Sequence, residues 1–320
     1  MNLPSSLLRR ATFRLRISRS VTSTQAATHF PTTRKYSQEH SSDGYRLQLY
    51  NNPLHDLVGE ITIPNGSYTL EFARFPVFPS PKEPSTSCLL WGETKAALLA
   101  EKFQPSPPSV PSRPGMYFLG PSSVAGTGVF AQEDIECGEA IMVERPFLMA
   151  FSHTPDNFGV DPTPLIPMVP EALGLVVAER LSKSEQTDFY RLFSSDNSVW
   201  PIMSQNSIPV SEPLPGPYSG PHNVVCRDVS RINHSCTPNV ELTWDPTSFT
   251  VLIHSNTRIS KGEELFRPYR NILEPRSERM ELLYQIYDFK CACPSCSLPD
   301  DESAKSDTFR RFLLEPRYTL

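Results

Sequence analysis

Residues 231–239 read Arg-Ile-Asn-His-Ser-Cys-Thr-Pro-Asn, and the rest of the chain is best understood from this stretch outward. Two Asn, one His, one Ser and one Cys in nine positions are poor material for a core strand. They are well suited to fixing a tight backbone and holding a polar ligand. The competing reading is a polar surface loop that ends in a turn at Thr237-Pro238. A partner further along weighs against the loop: Cys291, Cys293 and Cys296 form a Cys-x-Cys-x-x-Cys cluster directly after an expected helix.

Three thiols within six residues match the short spacing by which thiolates reach one tetrahedral zinc. A structural zinc takes four ligands, so a fourth must come from elsewhere, and Cys236 is the natural candidate because its stretch already looks constrained. Cys88, Cys137 and Cys226 have no comparable spacing and read as ordinary reduced thiols. Seven cysteines, an odd number with no secretory signal, argue against a disulfide framework.

Composition sets the frame. The 320 residues can bury a sizeable core. The 33 prolines, close to twice the usual share of about 5%, exclude a helical bundle and favour short strands and many turns. The net charge of −5 hides an asymmetry, because residues 1–36 carry seven Arg and Lys and no acid. Taking those seven charges away leaves −12 on the remainder. An acidic body argues against direct nucleic-acid binding and suits a basic partner such as a lysine-bearing protein segment. No apolar run approaches the roughly 20 residues of a bilayer span, so a soluble protein with no membrane partner is expected.

The first 36 residues, rich in Arg and Ser with apolar residues between the charges, have the marks of a mitochondrial transit peptide. Arg34-Lys35-Tyr36-Ser37 resembles a matrix-peptidase site. The alternatives are a disordered basic tail, with the protein in nucleus or cytoplasm. Residues 37–103 are poorly defined: strands are expected at Tyr45–Tyr50 and Ile61–Ile63, and a helix within Leu90–Phe103. Residues 104–115 form a Pro-rich linker, where the main boundary is placed.

From Met116 strand patterns flank a Gly126-Thr127-Gly128 loop, which alone is a weak signal. Within an insertion at about 151–221, Leu173, Val176, Val177 and Leu181 recur at helical spacing. Ser182-Lys-Ser-Glu185 then resembles a capping box that opens a second helix through Phe189, Tyr190 and Phe193. Both stripes read as packing surface, although a helical pair there could wall a groove. A hairpin follows, with Val240, Leu242 and Trp244 alternating and a turn at 245–248. A last helix is expected to place Met280, Leu283, Ile286 and Tyr287 on one side.

Gly126-Thr-Gly128, Asn233-His-Ser-Cys-Thr-Pro-Asn239, Glu264-Leu-Phe-Arg-Pro-Tyr269 and the C-terminal cysteines occur in the order seen in SET-domain protein lysine methyltransferases. The chain resembles that family over roughly 116–296, most nearly fungal relatives of the SET-and-MYND group, but has no MYND-type finger. Only about two dozen residues follow Cys296, too few for the helical C-terminal domain of those relatives. The resemblance implies a mainly β fold with α insertions: a SET-type β-clip over 116–290, a zinc-binding post-SET segment over 291–296 and a tail over 297–320. It implies that Gly126, Thr127, Gly128, Asn233, His234 and Phe289 bind S-adenosyl-L-methionine. It also implies that Tyr269 serves catalysis and that Cys236, Cys291, Cys293 and Cys296 hold a structural zinc. The implied activity is methyl transfer to the side-chain amine of a protein lysine, histone or non-histone. The rival is an inactive SET-fold interaction module. Arg267-Pro268 departs from the small polar residue usual before this tyrosine, and proline removes a donor that could matter for the ring.

Overall fold

A computed structural model describes residues 39–314, apart from 43–44, 51–55, 64–65, 76–84, 101–106, 109, 111–112, 114, 152–168, 211–213 and 215–220. The proposed targeting segment, most of the Pro-rich linker and most of both Pro-rich flanks of the insertion lie outside those residues.

Five strands open the chain: β1 (Glu39–Ser42), β2 (Tyr45–Leu49), β3 (Leu57–Ile63), β4 (Gly66–Phe75) and β5 (Thr86–Trp91), followed by helix α1 (Gly92–Ala100). Next come β6 (Tyr117–Pro121), β7 (Thr127–Ala131), β8 (Ala140–Glu144) and β9 (Leu148–Phe151). The insertion supplies α2 (Val169–Glu179), α3 (Lys183–Tyr190) and α4 (Val199–Asn206), then β10 (Ile208–Val210) and β11 (His222–Val225). The C-terminal part contains β12 (Asn233–His234), β13 (Val240–Asp245), β14 (Thr250–Ser255), β15 (Phe266–Arg267), α5 (Arg276–Tyr287) and α6 (Asp300–Leu314). The fold is mainly β with helical insertions, and the segment after Cys296 carries a helix.

The largest sheet has eight strands in the order β1-β2-β3-β4-β5-β9-β11-β10. Its hydrogen bonding runs unbroken across residues 104–115, because β5 pairs in parallel with β9 at Ser87–Leu148, Cys88–Met149 and Leu89–Ala150. Every residue of β5 is buried, as a central strand with both faces covered must be. Side-chain alternation then divides it between two cores. Leu89 and Trp91 join Phe147, Leu148 and the insertion residues Leu173, Val176, Val177, Leu181 and Phe189, of which Leu181 lies in the link between α2 and α3. Cys88 and Leu90 face the other way, towards Met149, Val129, Ile232, Val251 and Ile259.

The helical stripe of α2 packs as its spacing requires. The capping box is present: Ser182 Oγ accepts from Glu185 N at 3.2 Å, and Glu185 Oε2 accepts from Ser182 N at 2.6 Å. Phe193 lies past the end of α3, in the turn before α4, and is exposed. Helix α4 escapes a sequence reading because Pro201 looks like a breaker, yet it occupies the first turn, where its missing N–H costs nothing. The hairpin β13–β14 turns on Asp245, whose carboxylate accepts from Thr247 N at 2.9 Å and Ser248 Oγ at 2.6 Å. In α5 the apolar side comprises Leu283, Met280 and Tyr287; Ile286 is 40% exposed and does not belong to it. The helix ends at Asp288 in a left-handed cap, φ 58°.

Because β4 and β5 contribute to both cores, the N-terminal strands are expected to be needed for folding. A chain beginning at residue 116 should lose the cooperative thermal transition of the longer protein in a circular-dichroism melt. An unchanged transition would show that the two segments fold independently.

Candidate active site and metal centre

The stretch 231–239 is fixed from several sides. A 3-10 turn over Val229–Arg231 delivers it. The half-buried Glu144 carboxylate caps that turn, accepting from the N–H groups of Arg227 (2.6 Å), Asp228 (3.1 Å) and Val229 (2.9 Å). Burial nevertheless pushes Glu144 up to about 7. β12 then runs parallel to β15, pairing Asn233 with Phe266 and His234 with Arg267. Asn239 closes the crossing: its Nδ2 donates to the Glu264 carbonyl (2.9 Å) and its Oδ1 accepts from Phe266 N (2.7 Å).

Glu264 is the hub that joins this crossing to the glycine loop. Its buried carboxylate accepts from Asn233 Nδ2 at 2.8 Å and from Ser122 Oγ at 2.9 Å. Asn233 Nδ2 also donates to the Ala125 carbonyl at 3.1 Å. Gly128 has to be glycine, since an added Cβ would run into the Glu264 carboxylate. Gly126 adopts φ +50°, a left-handed conformation that other residues rarely take.

The four cysteines expected to hold zinc come together. The Sγ atoms of Cys236, Cys291, Cys293 and Cys296 all lie within 4.8 Å of one another. The Cys236 and Cys296 sulfurs are 3.6 Å apart. Tetrahedral zinc with Zn–S bonds of about 2.3 Å separates its sulfurs by roughly 3.8 Å, so the donor set fits that ion. Hydrogen bonds among the thiols split their titration. Those from Cys236 first, then from the other thiols, hold Cys293 far below the ordinary thiol range. Cys296 is lowered to about 7. Cys236 itself is pushed up by its bonds to Cys291, Cys293 and Cys296. A divalent cation would remove this competition by stabilising all four as thiolates.

Arg279, on α5 and 1% exposed, was not marked by any motif. Its Nε lies 3.2 Å from Cys236 Sγ and one terminal nitrogen 3.8 Å from Cys296 Sγ. A buried guanidinium donating to two sulfurs offsets thiolate charge and orients the ligands. Its signal in the sequence was a lone charge one position before Met280 on an otherwise apolar helix side.

His234 links this cluster to Tyr269. Its Nδ1 accepts from Tyr269 N at 3.0 Å, and its Nε2 lies 3.3 Å from Cys236 Sγ. Burial lowers its pKa to about 4, so the ring is neutral at pH 7. With Nδ1 accepting, the hydrogen sits on Nε2 and points at the sulfur. The Tyr269 hydroxyl donates to the Ile232 carbonyl at 3.0 Å. Burial holds this phenol above its ordinary range, while the Arg267 guanidinium, 4.4 Å from the ring centre, pulls the other way.

Two cavities meet at Tyr269. The first, about 230 Å³, is lined by Gly126, Thr127, Asn233, His234, Tyr269 and Phe289 among others. It gathers the residues that the resemblance assigned to the cofactor except Gly128, which packs behind them on Glu264. The insertion walls it with Arg191, Phe193 and Asn206, and Tyr287 and Asp288 complete the rim, none of them foreseen as site residues. The second, about 460 Å³, is lined by Pro238, Leu242, Arg267, Pro268 and Tyr269 among others.

Arg279→Ala is expected to weaken zinc retention roughly 10- to 100-fold in a chelator competition, the range typical of groups that orient metal ligands. Replacing Cys236 should lower zinc content and cofactor affinity together. Zinc held as firmly as before in either variant would break the proposed link.

Comparison with known proteins places this geometry. Residues 126–270 match the SET domain family. The chain is 28% identical over 200 residues to the histone-lysine N-methyltransferase set5 of Schizosaccharomyces pombe, covering 61% of this chain and 55% of that protein. It is 38% identical over 78 residues to the N-lysine methyltransferase SMYD2 of Homo sapiens, 24% of this chain and 18% of that one. Similarity to SMYD2-A of Danio rerio is 33% over 89 residues, 28% of this chain and 20% of that protein. The chain thus spans about half the length of set5 and about a fifth of the others. Residues 126–270 of this chain are therefore similar to a SET domain.

Proposed function

We propose that this protein transfers a methyl group from S-adenosylmethionine to the side-chain amine of a protein lysine, with one structural zinc. The observation that carries the proposal is that Tyr269 lines both cavities. A residue on the wall between two chambers can meet one reactant from each side.

The cofactor's contribution is a methyl on a positively charged sulfur. In the first cavity the 124–127 loop offers backbone unobstructed by a Cβ at Gly126, Phe289 offers an aromatic face, and Asn233 offers an amide oxygen. Arg191 and Arg231 on the same wall suit a carboxylate. Only a neutral amine has the lone pair to attack. At a reference pKa of about 10.4, neutralising lysine at pH 7 costs roughly 4–5 kcal/mol in water. Desolvation lowers that cost, and so does a nearby positive charge. The cofactor's sulfonium would supply such a charge.

The Tyr269 proton is committed to Ile232 O, so its oxygen lone pairs face outward as acceptors. Accepting an N–H of the amine would turn the nitrogen lone pair along the line of transfer. Alignment of this kind provides much of the rate of an in-line displacement. His234 acts as a positioning residue, because both its nitrogens are engaged by the protein. The SET-domain relatives carry lysine methyltransferase names, which agrees with this chemistry. The basic 1–36 segment makes mitochondrial proteins part of the proposed substrate range.

Incubation of residues 37–320 with radiolabelled S-adenosylmethionine and a cell lysate should label protein lysines. Tyr269→Phe should reduce labelling roughly a hundredfold, the penalty typical of a small misalignment, with zinc content unchanged. Labelling that survives in the variant would remove Tyr269 from its role. Cofactor binding without any labelling would favour an inactive SET-fold interaction module.

A further inference from the structure

Arg267 poses a problem that the methyl transfer does not solve. It is 5% exposed, and its Nε is buried with no hydrogen-bond partner among the described residues. No carboxylate among those residues forms an ion pair with it, although the chain has 35 acids. A buried guanidinium normally sits against an anion, because loss of hydration is otherwise uncompensated. Its guanidinium instead lies over the face of Tyr269, 4.4 Å from the ring centre, a contact that leaves its N–H edges unused.

Arg267 lines the second cavity. Ile208, Val240, Leu242, Pro268 and Ile272 give its lining apolar patches, and Asn256 adds an amide. Its single carboxylate, Glu241, has a 66% exposed side chain and lies 3.6 Å from His254 Nε2, so it belongs to the rim. A cavity of mixed lining that is bordered by one largely buried arginine with unused donors is a site for one planar anion.

We infer that the second cavity binds a carboxylate of the substrate through Arg267, so that the target lysine is selected with an acidic group beside it. The inference rests on the methyl-transfer reading for the identity of the ligand as substrate. The carboxylate can come from an Asp or Glu side chain near the lysine, or from a chain terminus. A bidentate contact suits either. It also complements the target: the acid meets Arg267 while the lysine approaches the neighbouring Tyr269, 4.4 Å from ring centre to guanidinium.

The test uses short peptides with one lysine. One series has Asp or Glu against Asn or Gln at each flanking position, and another has a terminal acid against a terminal amide. Calorimetric binding to the zinc-loaded protein with S-adenosylhomocysteine is measured beside methyl transfer. An acidic peptide should bind roughly tenfold or more tightly than its amide counterpart, the worth of a charge-assisted fork. The series that shows the preference identifies the source. Arg267→Gln should erase the preference and Arg267→Lys should retain part of it, with zinc content and melting temperature confirming that both variants fold. Equal binding of acid and amide peptides by the wild-type protein overturns the inference, as does an undiminished preference in Arg267→Gln or no peptide binding at all. Preferential binding of acidic peptides without methyl transfer would keep the carboxylate site and overturn the activity.

Discussion

The whole site depends on holding one segment, residues 231–239, between two partners that are distant in sequence. On one side Asn233 and Asn239 bond to Glu264 and its neighbours. On the other Cys236 joins the three C-terminal cysteines. Neither tie is local, so the short strand β12 has no stability of its own. Single hydrogen bonds contribute about 1 kcal/mol net, whereas a structural zinc contributes roughly 10–16 kcal/mol in small domains. Zinc held by the four cysteines would therefore decide whether the segment stays ordered, and the asparagine bonds decide its register.

His234 converts that order into placement of the tyrosine. Its Nε2–H faces a zinc-site sulfur and its Nδ1 receives the Tyr269 amide. A shift of Cys236 is passed through one rigid ring to the backbone of Tyr269. On the far side Glu264 receives Asn233 and Ser122, so the glycine loop is tied to the same frame. The glycine loop, Tyr269 and the four-cysteine cluster are thus one connected set of bonds.

What could be read from the sequence follows from how local each signal is. The zinc quartet was legible because thiols are rare and three of them are adjacent. The capping box at Ser182 and the hairpin around Asp245 were legible because a few neighbouring residues specify them. The pairing of β5 with β9 was not, since a parallel contact between segments some sixty residues apart leaves no periodic trace. Arg279 and Glu264 were missed as site residues for a related reason. A charged side chain in a helix or strand normally faces water, and only the fold shows that these two point inward. Phe193 reads as part of a helix face, but the helix stops at Tyr190 and leaves Phe193, with Arg191, on the cavity wall.

Arg267-Pro268 can now be judged in physical terms. Proline at 268 removes an N–H, yet the donors that position Tyr269 are those of Phe266 and of Tyr269 itself, on either side of it. The ring is held at both ends, by its amide on His234 and its hydroxyl on Ile232. A missing donor between two fixed points does not move the ring. Pro268 instead restricts the conformation of Arg267, since a residue before proline is driven to extended backbone. That restriction suits a strand residue paired with His234 whose guanidinium lies across the tyrosine face. The pair that looked like damage to the active tyrosine is therefore a way of fixing a positive charge beside it.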